Sequence, residues 1–292
     1  MLKLLMPIAA GAAVLAGAVS TTMSAAGAAD LYEPPIVEAP PPQIVYQDRA
    51  YGGWYLRGDI GYHQSQIGDI DYITYGADVD CCGDPVAVPG VGSFNSAKLR
   101  GAMSLGAGVG YQVNSYLRTD LTADYWFKSK FEGSTPGVNL DSTDSSAYSA
   151  LLLLANAYVD FGTYHRITPY VGAGIGGAYL KWDELRNQFP GVDDRHPGAK
   201  GMRFAWAVMA GASYCLTSNL SADLGYRYSR ISGGKMFDYV DSSAGGPGAG
   251  PGFHGAIGTH EVRGGLRYSF GGNNCAEPQI AYEEPPVVPI YK

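Results

Sequence analysis

His63-Gln64-Ser65 places a histidine and a serine two residues apart, the first point in this sequence where catalysis could be sought. Residues i and i+2 of an extended strand share a face. The imidazole could therefore act as base to a hydroxyl nucleophile. Such a pair works best when a third, acidic group orients the histidine, and no matching acid is identifiable here. The pair also stands at a polar strand end, on the face that the alternation described below turns inward, where lipid acyl chains do not reach. No catalytic residue is expected, and the chain is not read as an enzyme.

A second candidate chemistry is ligation of haem iron by a haem-binding surface protein. His196 and His254 fall in long connections, with Tyr239 near the latter. Neither histidine has ligand spacing of the H-x-x-x-H kind, and lone loop histidines are usually just solvated. No cofactor and no metal site are expected.

The elements that would position any such group follow from period-two patterns. In Thr259 to Phe270, one face reads Val262, Gly264, Leu266, Tyr268 and Phe270, and the other Glu261, Arg263, Gly265, Arg267 and Ser269. This is a strand with one apolar and one polar side, ending in the aromatics Tyr268 and Phe270 that suit a membrane–water boundary. Seven similar segments precede it: Trp54–His63, Leu99–Tyr111, Leu117–Phe127, Ala147–Phe161, Thr168–Leu180, Phe204–Tyr214 and Leu220–Tyr228. Leu152 and Leu154 break the pattern in the outer half of the fourth of these. Connections alternate between short (Val113–Ser115, Gly162–Arg166, Thr217–Asn219) and long (around 64–98, 132–146, 181–202 and 232–258). Alternating short turns and long loops are what an antiparallel outer-membrane barrel requires, whereas a soluble sandwich gives no reason for them. The expected fold is all-β, an eight-stranded antiparallel transmembrane up-and-down barrel of the outer-membrane type.

Composition agrees. The 292 residues include 41 glycines and 22 tyrosines, with only 16% charged. No apolar run after the N-terminal region approaches the roughly 20 residues of a membrane helix. A net charge of −7 gives no basic surface for nucleic acid. Lys3, the small-residue apolar stretch Leu4 to Val19, and Ala26-Gly27-Ala28 read as a secretory signal peptide over 1–28, with cleavage after Ala28 or Ala29. Residues 29–50 are proline-rich and extended, with a reach on the order of 60 Å at full stretch. The barrel would occupy 51–270, followed by a second proline-rich segment over 271–292, where Tyr282-Glu283-Glu284-Pro285-Pro286 echoes Tyr32-Glu33-Pro34-Pro35.

An eight-stranded barrel is about wide enough for side chains and little else. The expected inward faces carry Arg57, Arg100, Arg118, Lys128, Arg227, Arg263 and Arg267. Facing them are Asp59, Asp120, Asp124, Asp160, Asp223 and Glu261. Near balance suits a desolvated interior, because an unpaired buried charge costs several kcal/mol. The set is expected to form a paired plug in preference to a conducting lumen. Of the four cysteines, Cys81 and Cys82 fall in the first long loop, and Cys215 and Cys275 near the opposite end. Four cysteines allow three pairings. Membrane sidedness disfavours crossing from loop to periplasm, so Cys215–Cys275 is the expected disulfide.

The runs Tyr51-Gly52-Gly53-Trp54-Tyr55-Leu56-Arg57-Gly58-Asp59-Ile60-Gly61-Tyr62, Thr168-Pro169-Tyr170-Val171-Gly172-Ala173-Gly174-Ile175-Gly176 and His260-Glu261-Val262-Arg263 are specific. Together they resemble the small eight-stranded outer-membrane proteins of alphaproteobacteria, the RopB-type, immunogenic porin-like family. The resemblance covers Asp30 to Phe270. It implies an abundant surface antigen that supports envelope integrity in a Gram-negative outer membrane. Its surroundings would be outer-membrane lipid and lipopolysaccharide, with the outer-membrane assembly machinery as a folding partner. Within the family, a processed N-terminus beginning Ala29-Asp30 looks like a substrate for attachment to peptidoglycan. Loops would be extracellular and both termini periplasmic.

Overall fold

Alternation of apolar and polar side chains builds eight long strands in chain order: β1 (Gly53–Ile67), β2 (Ala102–Gln112), β3 (Leu117–Ser134), β4 (Thr143–Asp160), β5 (Ile167–Trp182), β6 (Lys200–Cys215), β7 (Leu220–Ile231) and β8 (Ile257–Ser269). Each pairs antiparallel with the next, and β8 returns to pair with β1 from Ser269↔Tyr55 to Ile257↔Ile67, closing the barrel. This is a computed structural model, and it describes residues 44–46, 52–270 and 280–282, apart from 80, 84, 137–139, 238–240, 243–245 and 248–249. The expected signal segment lies outside the described residues, and so do Ala28, Ala29 and Asp30. The short strands Ile44–Tyr46 and Ile280–Tyr282 form a two-stranded sheet of their own.

Outward side chains sort by height. Leu56, Leu105, Leu121, Ile175, Leu224 and Val262 stand exposed along the middle of the wall. Trp54, Tyr111, Tyr214, Tyr268 and Phe270 ring one end; Tyr62, Tyr125, Phe127, Tyr179 and Phe204 ring the other. An apolar band between two aromatic girdles is the surface a bilayer demands of a barrel. The ring that includes Trp54 lies at the end with the short turns. There the Asn114 side chain accepts from the Tyr116 and Leu117 amides at 2.9 and 2.8 Å, and the Thr217 hydroxyl accepts from the Leu220 amide at 3.0 Å. Side-chain acceptors of this kind stand in for ladder bonds at a tight turn.

At the other end the strands overshoot the girdle. The stretch 132–146, expected as a connection, is strand at both ends, because β3 runs on to Ser134 and β4 starts at Thr143. The reason is an apolar filling that the longer strands enclose: Phe131, Tyr148 and Trp182 are all buried and in ring contact. The third long connection folds into a hairpin, Leu185–Phe189 with Val192–His196, whose first strand pairs onto β4. The first and last connections share a four-stranded sheet, in the order Gly234–Lys235, Gly250–His254, Ile70–Val79 and Pro85–Ser93.

The lipid-facing assignment of the wall has a direct check. Leu224→Arg, in the middle of the band, should destabilise the folded barrel by about 2–4 kcal/mol, while Ser218→Arg in a short turn should be near neutral. Urea titrations of the two variants refolded into the same bilayer measure the difference.

Candidate functional site: the barrel interior

The inward face of this wall is strongly charged in its lower half, toward the short turns. Arg57, Arg118, Arg227, Arg263 and Arg267 are each buried, together with Asp59, Asp120, Asp124, Asp160, Asp223 and Glu261. Strand pairing puts the groups in register. Arg227 of β7 stands opposite Glu261 of β8, and its guanidinium reaches Glu261 at 2.6 Å and Asp124 of β3 at 2.7 Å. Arg263 donates to both Asp124 (3.0 Å) and Asp59 (2.8 Å). Arg57 donates to Asp59 (2.8 Å) and Asp120 (3.1 Å). Strands β1, β3, β7 and β8 are thereby joined across the lumen by one chain of ion pairs.

Neutral groups complete the network. The Ser104 hydroxyl donates to Glu261, and Asn156 and Tyr55 donate to Asp120 at 2.7 and 3.1 Å. Nearer the short turns, Arg118 pairs with Asp160 at 3.0 Å and Arg267 with Asp223 at 3.3 Å. The Arg118 guanidinium lies over both the Tyr158 and Tyr170 rings, 4.4 and 4.6 Å from their centroids, the two rings standing edge to face. Ring faces are a favourable environment for a cation. Glycines make room for all this: a Cβ on Gly106 would collide with the Asp124 carboxylate, and one on Gly265 with that of Asp59.

Two of the expected interior cations are elsewhere. Arg100 is exposed and pairs with Glu132 at 2.8 Å; Lys128 is exposed and pairs with Asp183 at 2.7 Å. The cause is a phase shift in each case. A bulge between Trp126 and Ser129 inserts a residue into β3, so that Phe127 and Lys128 both face out. Arg100 lies in the break between the short strand Ser96–Leu99 and β2, where Leu99 and Ala102 both turn inward. The interior is thus five arginines against six carboxylates.

The upper half of the lumen is apolar, which the sequence reading did not anticipate. Trp126, Leu152, Leu154, Leu180, Trp182, Phe131 and Phe237 pack there with almost no exposure. Leu152 and Leu154, which break the alternation, lie inside, on the same face as Asn156, Tyr158 and Asp160. His63 and Ser65 belong to this layer. The Ser65 hydroxyl lies 3.4 Å from His63 Nδ1, 2.8 Å from Thr259 Oγ1 and 2.6 Å from the Tyr148 hydroxyl, and the His63 ring stacks on Trp126 at 4.7 Å. Both residues are buried, and the pair is tied into the packing of this layer.

His254, expected to be solvated, is also buried. Its Nδ1 donates to the Gly255 carbonyl and its Nε2 accepts from Arg203 at 3.2 Å, with Trp182 5.9 Å away between ring centroids. This arrangement requires the neutral imidazole, and burial followed by the Arg203 charge pushes its pKa down to about 4. His196 is half-buried, and Tyr239 lies outside the described residues. Among the described residues no cluster of histidine, cysteine or carboxylate could hold a metal. Cys215 is in a disulfide, and its expected partner Cys275 lies outside the described residues. The sulfurs of Cys81 and Cys82 are 3.6 Å apart, beyond covalent length.

Two outcomes follow. Arg263→Ala leaves Asp59 and Asp124 short of a buried partner and should cost about 3–5 kcal/mol, read from denaturant unfolding in detergent. His254 has a folded-state pKa below its unfolded one, so its contribution is intact above about 6.5 and is lost as pH falls toward 4. Protection of the 250–254 amides, taken relative to their intrinsic exchange rates at each pH, should fall across that window in the parent protein and stay level in His254→Gln.

The chain is similar to several known proteins. A protein of Brucella abortus (strain 2308), itself uncharacterized, is 38% identical over 292 residues, covering 88% of this chain and 97% of that one. Outer membrane protein PagN of Salmonella typhimurium (strain LT2) is 35% identical over 86 residues, 28% of this chain and 34% of PagN. Among solved structures, Neisserial surface protein A shares 19% identity and covers 75% of this chain and 97% of that one, with a TM-score of 0.36. OprG of Pseudomonas aeruginosa shares 15% identity over 75% of this chain and 96% of its own, with a TM-score of 0.43. Residues 13–270 match the family described as outer membrane protein beta-barrel domain, and the chain belongs to that family.

Proposed function

We propose that this chain is a structural outer-membrane barrel of the RopB-type kind, closed to solutes, which stabilises the envelope and displays its long loops to the exterior. The observation that carries the reading is the filled interior: a continuous ion-pair network below and an apolar layer above, in a barrel of eight strands. A lumen of that width, with its charges spent on one another and apolar side chains packed above them, supports a closed barrel. Five arginines against six carboxylates also leave an excess of only one charge, a weak basis for ion selectivity. In this reading the buried His63–Ser65 pair is packing, not catalysis.

Sidedness follows the general rule for such barrels, short turns in the periplasm and long loops outside. The mature N-terminus, beginning Ala29-Asp30, then lies on the wall side. The proline-rich residues 29–50 provide the reach for covalent attachment to peptidoglycan. Single-channel recording from the refolded protein tests the closed reading. Silence or rare small flickers are expected, whereas steady open channels would replace it with a narrow porin. Labelling of Cys81 or Cys82 on whole cells by a membrane-impermeant maleimide tests the orientation.

A further inference from the structure

The wall carries a row of lysines that the interior network does not use. Lys181 of β5 and Lys200 of β6 are direct cross-strand partners, both exposed on the outward face. Like charges directly opposite each other in a sheet are destabilising. Immediately below them on the same two strands, Tyr179 and Met202 are also direct partners and face lipid, 40% and 61% exposed. The step from apolar wall to paired ammonium groups therefore takes two residues, and it coincides with the girdle formed by Tyr125, Phe127, Tyr179 and Phe204.

The row continues sideways. Lys181 pairs across β4 with Ser149, which is covered although it faces outward, and beyond it on β3 stand Lys128 and Lys130. Asp183 meets Lys128. Lys130, Lys181 and Lys200 have no ion-pair partner among the described residues. The hairpin above does not supply one, since Arg186 pairs with Asp193 and Arg195 with Glu184. The cluster is not a by-product of a basic protein, because the chain carries a net charge of −7.

From this juxtaposition we infer that the outward row Lys130, Lys181 and Lys200, beside the Lys128–Asp183 pair, is a binding site for the phosphate groups of a phosphorylated glycolipid, the lipid A portion of lipopolysaccharide, packed against this side of the barrel. A phosphate between Lys181 and Lys200 turns their repulsion into two charge-assisted contacts. The acyl chains run down the apolar wall over Tyr179, Met202 and Phe204. Long lysine side chains reach the headgroup level from the edge of the apolar band. The choice of lipid rests on the sidedness proposed above, which puts this rim in the outer leaflet.

The test compares the detergent-purified parent with Lys181→Gln/Lys200→Gln, using native mass spectrometry and unfolding midpoints in the presence of added bisphosphorylated lipid A, dephosphorylated lipid A or phosphatidylglycerol. The parent should retain bisphosphorylated lipid A preferentially, and the double variant should bind it about thirtyfold more weakly. Without lipid, the double variant should be at least as stable as the parent, because a repulsive pair is gone; this separates a lost site from a damaged fold. Equal retention of dephosphorylated lipid A, equal retention of phosphatidylglycerol, or unchanged binding by the double variant would overturn the inference. Whole-cell labelling of the long loops reports sidedness separately, so a failed lipid site and a failed orientation give different results.

Discussion

Charge pairing without water is the constraint on which the rest of this structure depends. An isolated ion in a dry barrel is prohibitive, so each arginine must meet a carboxylate and each carboxylate a donor. Asp124, Asp59 and Asp120 each serve more than one donor, which ties separate pairs into a lattice. The demand fixes register. A one-residue slip of β8 would point Glu261, Arg263 and Arg267 at lipid and turn Val262, Leu266 and Tyr268 inward. The lipid outside and the ion pairs inside therefore specify the same pairing from opposite sides of one sheet.

Above that lattice the interior changes chemistry. The layer around Trp126, Trp182 and Phe131 is packed like a soluble core, and buried His254 and the loop sheet abut it through Trp182. It lets the strands continue past the girdle, since their inner face still has something to pack against. The long connections are thereby shortened and ordered into hairpins and a shared sheet. Burial of the loop end is what keeps the His254 imidazole neutral.

The fold was largely legible because alternation is local. In β1, β7 and β8 inward and outward positions alternate throughout, and every charge assigned inward on those strands is inward. The two misplaced cations mark where a period-two count fails, at a bulge and at a strand break, neither of which has a side-chain signature here. Lys128 follows Trp126-Phe127, and a count that continues through the extra residue carries the lysine to the wrong face. The apolar layer was hidden for a different reason: where both faces are hydrophobic, as at Leu151 to Leu154, alternation vanishes and direction cannot be read. The loop sheet was illegible because Ile70 pairs with His254, far along the chain.

The seam of the barrel has a consequence for how the protein comes into being. Arg57 and Asp59 belong to the first barrel strand, Glu261 and Arg263 to the last, and Arg263 bridges to Asp59 across 204 residues of chain. Without β8, Asp223 would lose Arg267, and Asp59, Asp124 and Arg227 would each keep one of their two ion-pair partners. The last strand therefore completes the counter-ion set, and the contacts that close the seam join residues far apart in the chain.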